Sequence, residues 1–163
     1  MSNAENTLLI AWHSRTGASR AMALAAAEGA GEIARLIPAA QVTEADLLEA
    51  SGYLFICPEN LASMSGEMKE MFDRTYYAVL NRIEGRPFAT AIAAGSDGEG
   101  AQRQIDRIAR GWRLRRVADH LIVITGAQSA AEIAAPKTLP AAQLSQSRDL
   151  GHSLSEGLRL GIF

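Results

Sequence analysis

Leu8 Leu9 Ile10 Ala11 Trp12 His13 Ser14 Arg15 Thr16 Gly17 Ala18 Ser19 begins as five apolar residues, breaks into hydroxyls and one glycine, and runs on into alanines. That succession reads as a strand, a turn and a helix start. The first N–H groups of a helix lack intrahelical acceptors and lie at the positive end of its dipole. With the hydroxyls of Ser14, Thr16 and Ser19 beside Gly17, the turn makes a nest suited to a phosphate. Ordinary N-capping by Ser and Thr is the plainer reading of the same residues.

Outward from this turn, strands and helices alternate. A helix is expected from Gly17 to about Gly29, with Met22, Ala25, Ala26 and Gly29 as its small packing face, then a strand over Ile33–Ile37 ended by Pro38. Thr43 is the expected N-cap of a short helix reaching Ala50, with Asp46 in its first turn. Tyr53 Leu54 Phe55 Ile56 Cys57 is an unbroken apolar run, as in a strand covered on both faces, and Pro58 is expected to stop it.

After a loop from Glu59 to Ser65, Met64, Met68, Met71, Phe72, Thr75, Tyr76 and Val79 recur at helical spacing, and that helix should end near Asn81. Phe88–Ala94 gives a fourth strand, Gly95 to Gly100 a loop, and Ile105, Ile108, Ala109 and Trp112 a further helix. Leu121–Thr125 reads as the fifth strand. Residues 126–139 show no period, and a last helix is expected with Pro140 as its first residue. Five strands alternating with helices imply a parallel sheet with right-handed crossovers, a three-layer α/β sandwich. Ligands of such sheets lie beyond the carboxyl ends of the strands, so the loops after the first, third and fourth strands are the place to look.

Composition narrows the classes. A chain of 163 residues, 48% hydrophobic and 21% charged, fits one packed domain, read here as residues 5–163. A net charge of −2 lacks the positive field of a nucleic-acid binder. The lone Cys57 excludes an intramolecular disulfide, and with His13, His120 and His152 scattered it offers no metal-ligand spacing. No apolar stretch is long enough to span a membrane, so a cytoplasmic location is the expectation. Ser2, Asn3 and Ala4 fit either a native start or the remnant of a removed tag. The chain has no Walker loop, no dinucleotide fingerprint after its first strand and no serine elbow.

Ser14 Arg15 Thr16 Gly17 Ala18 Ser19 resembles the phosphate loop of the flavodoxin-like superfamily of FMN proteins, especially its short NAD(P)H-dependent FMN and quinone reductases. Pro58, with Met64 Ser65 Gly66 Glu67 Met68 Lys69 and Phe72 Asp73 Arg74, is similar to the second loop and helix of the tryptophan-repressor-binding-protein type of quinone reductase. The resemblance implies a flavodoxin-like three-layer sandwich whose five-stranded parallel sheet has the order 2-1-3-4-5. It implies that Ser14, Arg15, Thr16, Gly17, Ala18 and Ser19 hold the FMN phosphate. It further implies that Pro58, Glu59, Asn60, Leu61, Ala62, Ser63 and Met64 border one side of the flavin ring, and Gly95, Ser96, Asp97, Gly98 and Gly100 the other. NAD(P)H as electron donor, a quinone-like acceptor and a homo-oligomer follow by the same analogy.

Neither ring loop contains an aromatic residue, so a ring face is expected to stay open. Glu59 to Ser65 also lacks a glycine for the positive-φ conformation used by one-electron flavodoxins. Both features favour two-electron chemistry, with a flavodoxin-type carrier and a non-catalytic flavin-binding interaction protein as the alternatives. The cofactor carries the redox step, so no side chain is assigned as catalytic.

Of the remaining residues, the methionine stripe is read as core apart from Met64 at its loop end, and Cys57 as a buried core thiol. Asp97 and Glu99 are either solvated loop acids or negative charges near the ring. Arg103, Arg107 and Arg110 share a helix face, followed by Arg113, Arg115 and Arg116. They form either a solvated surface or a dock for a nucleotide phosphate or an acidic partner.

Overall fold

The computed structural model describes residues 5–163; Met1, Ser2, Asn3 and Ala4 lie outside the described residues. Strand β1 (Leu8–Trp12) leads into helix α1 (Ala18–Ala30), β2 (Ala34–Pro38), α2 (Glu44–Glu49) and β3 (Gly52–Asn60). A two-residue strand β4 (Ser63–Met64) precedes α3 (Gly66–Val79), β5 (Pro87–Ala94) and α4 (Glu99–Gly111). The chain ends with β6 (Arg115–Arg116), β7 (Leu121–Ile124), α5 (Ala130–Ala134) and α6 (Ala141–Arg159).

The sheet has the parallel order β2-β1-β3-β5, and its fifth place is shared by β6 and β7, which both pair with β5. This is the expected 2-1-3-4-5 order with the last strand in two pieces. Side chains alternate across it. Leu9, Ala11, Tyr53, Phe55, Phe88 and Ile92 face α2, α3 and α4, whereas Leu8, Ile10, Leu54, Ile56, Ala89, Ala91 and Ala93 face α1 and α6. On the first face Phe55, Phe72, Phe88 and Trp112 pack edge-on or tilted at 5.0–6.5 Å. On the second, small residues let backbones touch: a Cβ at Gly29 would overlap the Arg148 carbonyl, and one at Gly151 the Ala26 carbonyl.

Several boundaries differ from the sequence expectation for identifiable reasons. Pro58 does not stop β3, which continues to Asn60 and turns back antiparallel onto β4. β1 has ended at Trp12, opposite Ile56, and β4 pairs only with Glu59 and Asn60, so at Cys57 and Pro58 β3 has only β5 beside it. A residue without an N–H is tolerated there as on an edge strand. Met64 belongs to this hairpin and not to α3. Residues 126–139 contain α5, built on a capping box in which Ser129 and Glu132 satisfy one another's backbone N–H. Thr43 and Asp46 form the same device at α2, as its sequence suggests. Pro140 is the N-cap of α6, so the helix begins at Ala141, one residue later than expected.

Candidate functional site

A cleft of about 420 Å³ lies beyond the carboxyl ends of β1, β3 and β5, within the size range of cofactor sites. Ser14, Arg15, Thr16, Ala18 and Ser19 line one end, Pro58, Glu59, Asn60, Leu61 and Ala62 one flank, and Gly95 with Ser96 the other. The three loops singled out in the sequence thus meet around one volume.

The turn after β1 is held by its own atoms. Gly17, at φ 107°, caps α1 without a side-chain partner, and its N–H donates to Ser14 Oγ at 3.1 Å. The first N–H satisfied within the helix is that of Ala21, bonded to the Gly17 carbonyl at 3.0 Å. The N–H groups of Ala18, Ser19 and Arg20 are therefore the open ones at this end. Ser19 is 1% exposed, lines the cleft and has no hydrogen-bond partner for its hydroxyl. A buried hydroxyl left unpaired costs about 1–3 kcal/mol. An anion accepting from Ser19 and the neighbouring amides would remove that cost, so the residues present fit a terminal phosphate.

Arg15 is divided between two environments. It reaches the cleft wall, yet its guanidinium donates to Glu67 at 3.2 Å and is largely solvated. His13 joins the same cluster, with Nδ1 2.8 Å from Ser65 Oγ and Nε2 3.5 Å from Glu67. Burial holds the His13 imidazole below its usual pKa, Glu67 opposing and Arg15 assisting that shift. The cluster supports the turn from below, and His13 does not line the cleft. Beside it, burial pushes the Cys57 thiol up to about 12, with Ser65 opposing. Such a thiol stays protonated and unreactive.

On the ring side the hairpin β3–β4 is closed by Leu61 and Ala62, both at positive φ (53° and 60°). The sequence offers no glycine here, yet a two-residue hairpin turn demands this conformation. Each of these residues costs about 1–2 kcal/mol in sterics. Leu61 stands fully exposed at the tip. Glu59 is engaged elsewhere: Oε1 accepts from the Gly98 N–H at 2.9 Å and Oε2 from the Ala101 N–H at 3.1 Å, which caps α4.

Five of the expected ring residues lie outside the cleft wall. Ser63 Oγ and the Met64 N–H both bond Gln104 Oε1, at 2.9 and 2.8 Å, and the Met64 side chain is in the core. Asp97 is exposed and accepts from the Glu99 N–H. Gly98 is the N-cap of α4, and Gly100 belongs to its first turn, so the loop after β5 is shorter than expected. A Cβ at Gly100 would overlap the Ala62 carbonyl, so the hairpin tip rests directly on α4.

Other lining residues escaped sequence reasoning: Ala93, Ala94, Thr125, Ala127, Ile133 and Lys137. The segment carrying the last three folds back on the phosphate turn. The Lys137 N–H donates to the Thr16 carbonyl at 2.7 Å, and its ammonium caps the end of α5 through the carbonyls of Glu132, Ile133 and Ala135. The pair Ser129 and Glu132, three apart, was the available signal for this helix. Arg116, read as part of a surface cluster, instead binds Asp106 and Thr90 Oγ1 and stacks over Phe88 at 4.7 Å. Among the described residues no group of three or more His, Cys, Asp or Glu is placed to hold a metal, and no helix is long and apolar enough to cross a membrane.

The parallel order and the three loops gathered beyond the strand ends together define a protein of flavodoxin-like fold. A family model described as NADPH-dependent FMN reductase matches residues 24–128, and the chain belongs to that family of oxidoreductases. The match begins beyond the phosphate turn. Among solved structures, an archaeal flavodoxin is similar at 18% identity and a TM-score of 0.76, over 94% of this chain and 99% of that one. A flavodoxin, WrbA-like protein from Agrobacterium tumefaciens is similar at 19% identity and a TM-score of 0.70, over 96% and 99%. The Flv1 flavodiiron core from Synechocystis gives 17% and 0.76, over 98% of this chain and 37% of that one. At these identities the likeness shows the fold alone. No curated protein matched in sequence.

Proposed function

We propose that this protein is an FMN-dependent oxidoreductase that transfers two electrons from NAD(P)H to a quinone or a similar small acceptor. The observation that carries the reading is the unpartnered, buried Ser19 hydroxyl beside the open amides of α1, at one end of a cleft bounded by the other two loops. Bound there, FMN would supply the hydride chemistry, which none of the lining side chains provides.

The chain's own groups position and shield. Ser14, Thr16 and Ser19 offer hydroxyl donors to a phosphate, assisted by the amides of Ala18, Ser19 and Arg20. Pro58, Leu61, Ala94 and Ile133 give apolar surface to a flat ring. The N–H groups of Gly95 and Ser96 offer donors to its polar edge. No aromatic side chain lines the cleft, which favours an open ring face on which a nicotinamide and then an acceptor can approach in turn.

The test is protein reconstituted with FMN and assayed for NAD(P)H oxidation in the presence and absence of a soluble quinone. Quinone-dependent turnover is expected. Retention of FMN without turnover would leave an electron carrier or a binding protein, and failure to retain FMN would remove the reading altogether.

A further inference from the structure

We propose that Glu67 is a positioning residue for Arg15, an inference that rests on the flavin reading above: it holds the guanidinium away from a phosphate bound at the turn, and a charged His13 takes up the carboxylate and releases Arg15 to that phosphate. Arg15 lines the cleft beside Ser14, Thr16 and Ser19, yet its Nη2 donates to Glu67 Oε1 at 3.2 Å. Of the other acids on α3, Glu70 pairs with Arg74 and Asp73 with Lys69, both within the helix. Glu67 reaches out of the helix to a residue 52 positions away.

His13 is aimed at the same carboxylate. Ser65 stands at the N-cap of α3, where a serine ordinarily accepts from the open amides of the helix, but its side chain makes no cap bond. Its Oγ lies 2.8 Å from His13 Nδ1 instead, and the ring so held brings Nε2 to 3.5 Å from Glu67 Oε2. Arg15 and His13 thus share one carboxylate. The charged groups facing the imidazole are Glu67 and Arg15. Cys57, which also bonds Ser65, keeps its proton.

A neutral imidazole leaves Glu67 to Arg15. A charged one offers the carboxylate a second cation, and the pair of Arg15 with Glu67, whose side chains are 61% and 41% exposed, is weak enough to yield. Arg15 is then free to make the paired, charge-assisted bonds that guanidinium groups give phosphates. The coupling is reciprocal: a phosphate that captures Arg15 leaves Glu67 to His13 and favours its protonation. A carboxylate acting only through its charge would repel a phosphate whether or not Arg15 were present, and that difference separates the two mechanisms.

The test compares FMN with riboflavin, which lacks the phosphate, by fluorescence titration of the full-length protein. At about pH 7.5 Glu67→Gln should tighten FMN binding by about two- to fivefold and leave riboflavin binding unchanged, which also reports an intact cleft. In an Arg15→Gln background the same substitution should leave FMN binding as it was. As the pH falls from about 7.5 to about 5, the range in which an imidazole gains its proton, the gain from Glu67→Gln should shrink; taken as a ratio of affinities, it is free of the phosphate's own titration. In a His13→Gln background the ratio should stay constant. Unchanged FMN affinity in Glu67→Gln, an equal gain for riboflavin, or a ratio indifferent to pH with His13 in place would overturn the proposal. A gain that survives in the Arg15→Gln background would mark repulsion by the carboxylate alone and overturn it as well. Failure of the parent protein to bind FMN would instead strike the functional reading on which this one rests.

Discussion

The Glu59 carboxylate spans the gap between two loops, accepting from Gly98 at 2.9 Å and from Ala101 at 3.1 Å. One flank of the cleft is thereby tied to the N-terminus of the helix that follows the other. Glu59→Ala should lower stability by roughly 1–2 kcal/mol, as loss of a helix cap does, and should loosen the ring end of the cleft. Urea unfolding checks the first effect and FMN titration the second. Unchanged values in both would mean that the bridge carries no weight.

Ser19→Ala separates binding from folding. Removing a buried, unpaired hydroxyl should leave the FMN-free protein as stable or more stable by about 1 kcal/mol, while FMN affinity falls because a phosphate donor is lost. Thermal melts without FMN, paired with FMN titration, read the two signs. A variant that binds FMN as tightly as the parent would show that the phosphate is held elsewhere.

The turn at Leu61 and Ala62 should respond to residues that accept positive φ. Replacing the pair by Asn and Gly, the preferred hairpin sequence, should stabilise the FMN-free protein by about 1–2 kcal/mol. The same change removes the exposed leucine from the cleft and should weaken FMN binding. Denaturation midpoints together with FMN dissociation constants give both readouts, and a destabilised double variant would contradict the strain argument.

His13 gives a dependence on pH. Its folded pKa is lowered from 6.5, chiefly by burial, so as the pH falls the unfolded chain takes up the proton first. The stability contribution is complete above about pH 6.5 and is lost as the pH falls towards and through the lower folded value. Melting temperature should therefore drop as the pH falls below about 6.5, and His13→Gln should flatten that part of the profile. An unaltered profile in the variant would assign the drop to other groups.

Cys57 should ignore thiol reagents in the native protein and react on unfolding, since burial holds its thiol near 12. Labelling with and without denaturant decides this. Prompt labelling of the native state would mean that the end of β3 opens readily.

The strand order and most elements were legible because their signals are local. Tyr53 to Cys57 is apolar throughout because the strand is covered on both faces, and Thr43 with Asp46 shows its cap directly. The strand, turn and helix start around Ser14 to Ser19 were legible for the same reason, since their signals lie in consecutive residues. The flanks of the cleft were harder. Met64 falls into register with the helical methionines of α3, and only the pairing of Glu59 with Met64 across the hairpin removes it from that helix. Lys137 reaches the cleft through its bond to Thr16, more than a hundred residues away, and no periodicity reports such a contact.

Sequence alone determined the alternation of strand and helix, the parallel sheet and the turn that joins β1 to α1, because each depends on neighbours within a few positions. Tertiary structure alone decided which loop atoms remain free for a ligand. Glu59 is consumed by α4 and Ser63 by Gln104, and Arg15 is shared between Glu67 and solvent, while the Ser19 hydroxyl is left without a partner. A polar group's availability depends on which partners the fold brings within hydrogen-bond distance, and those partners here lie 39 to 52 residues away.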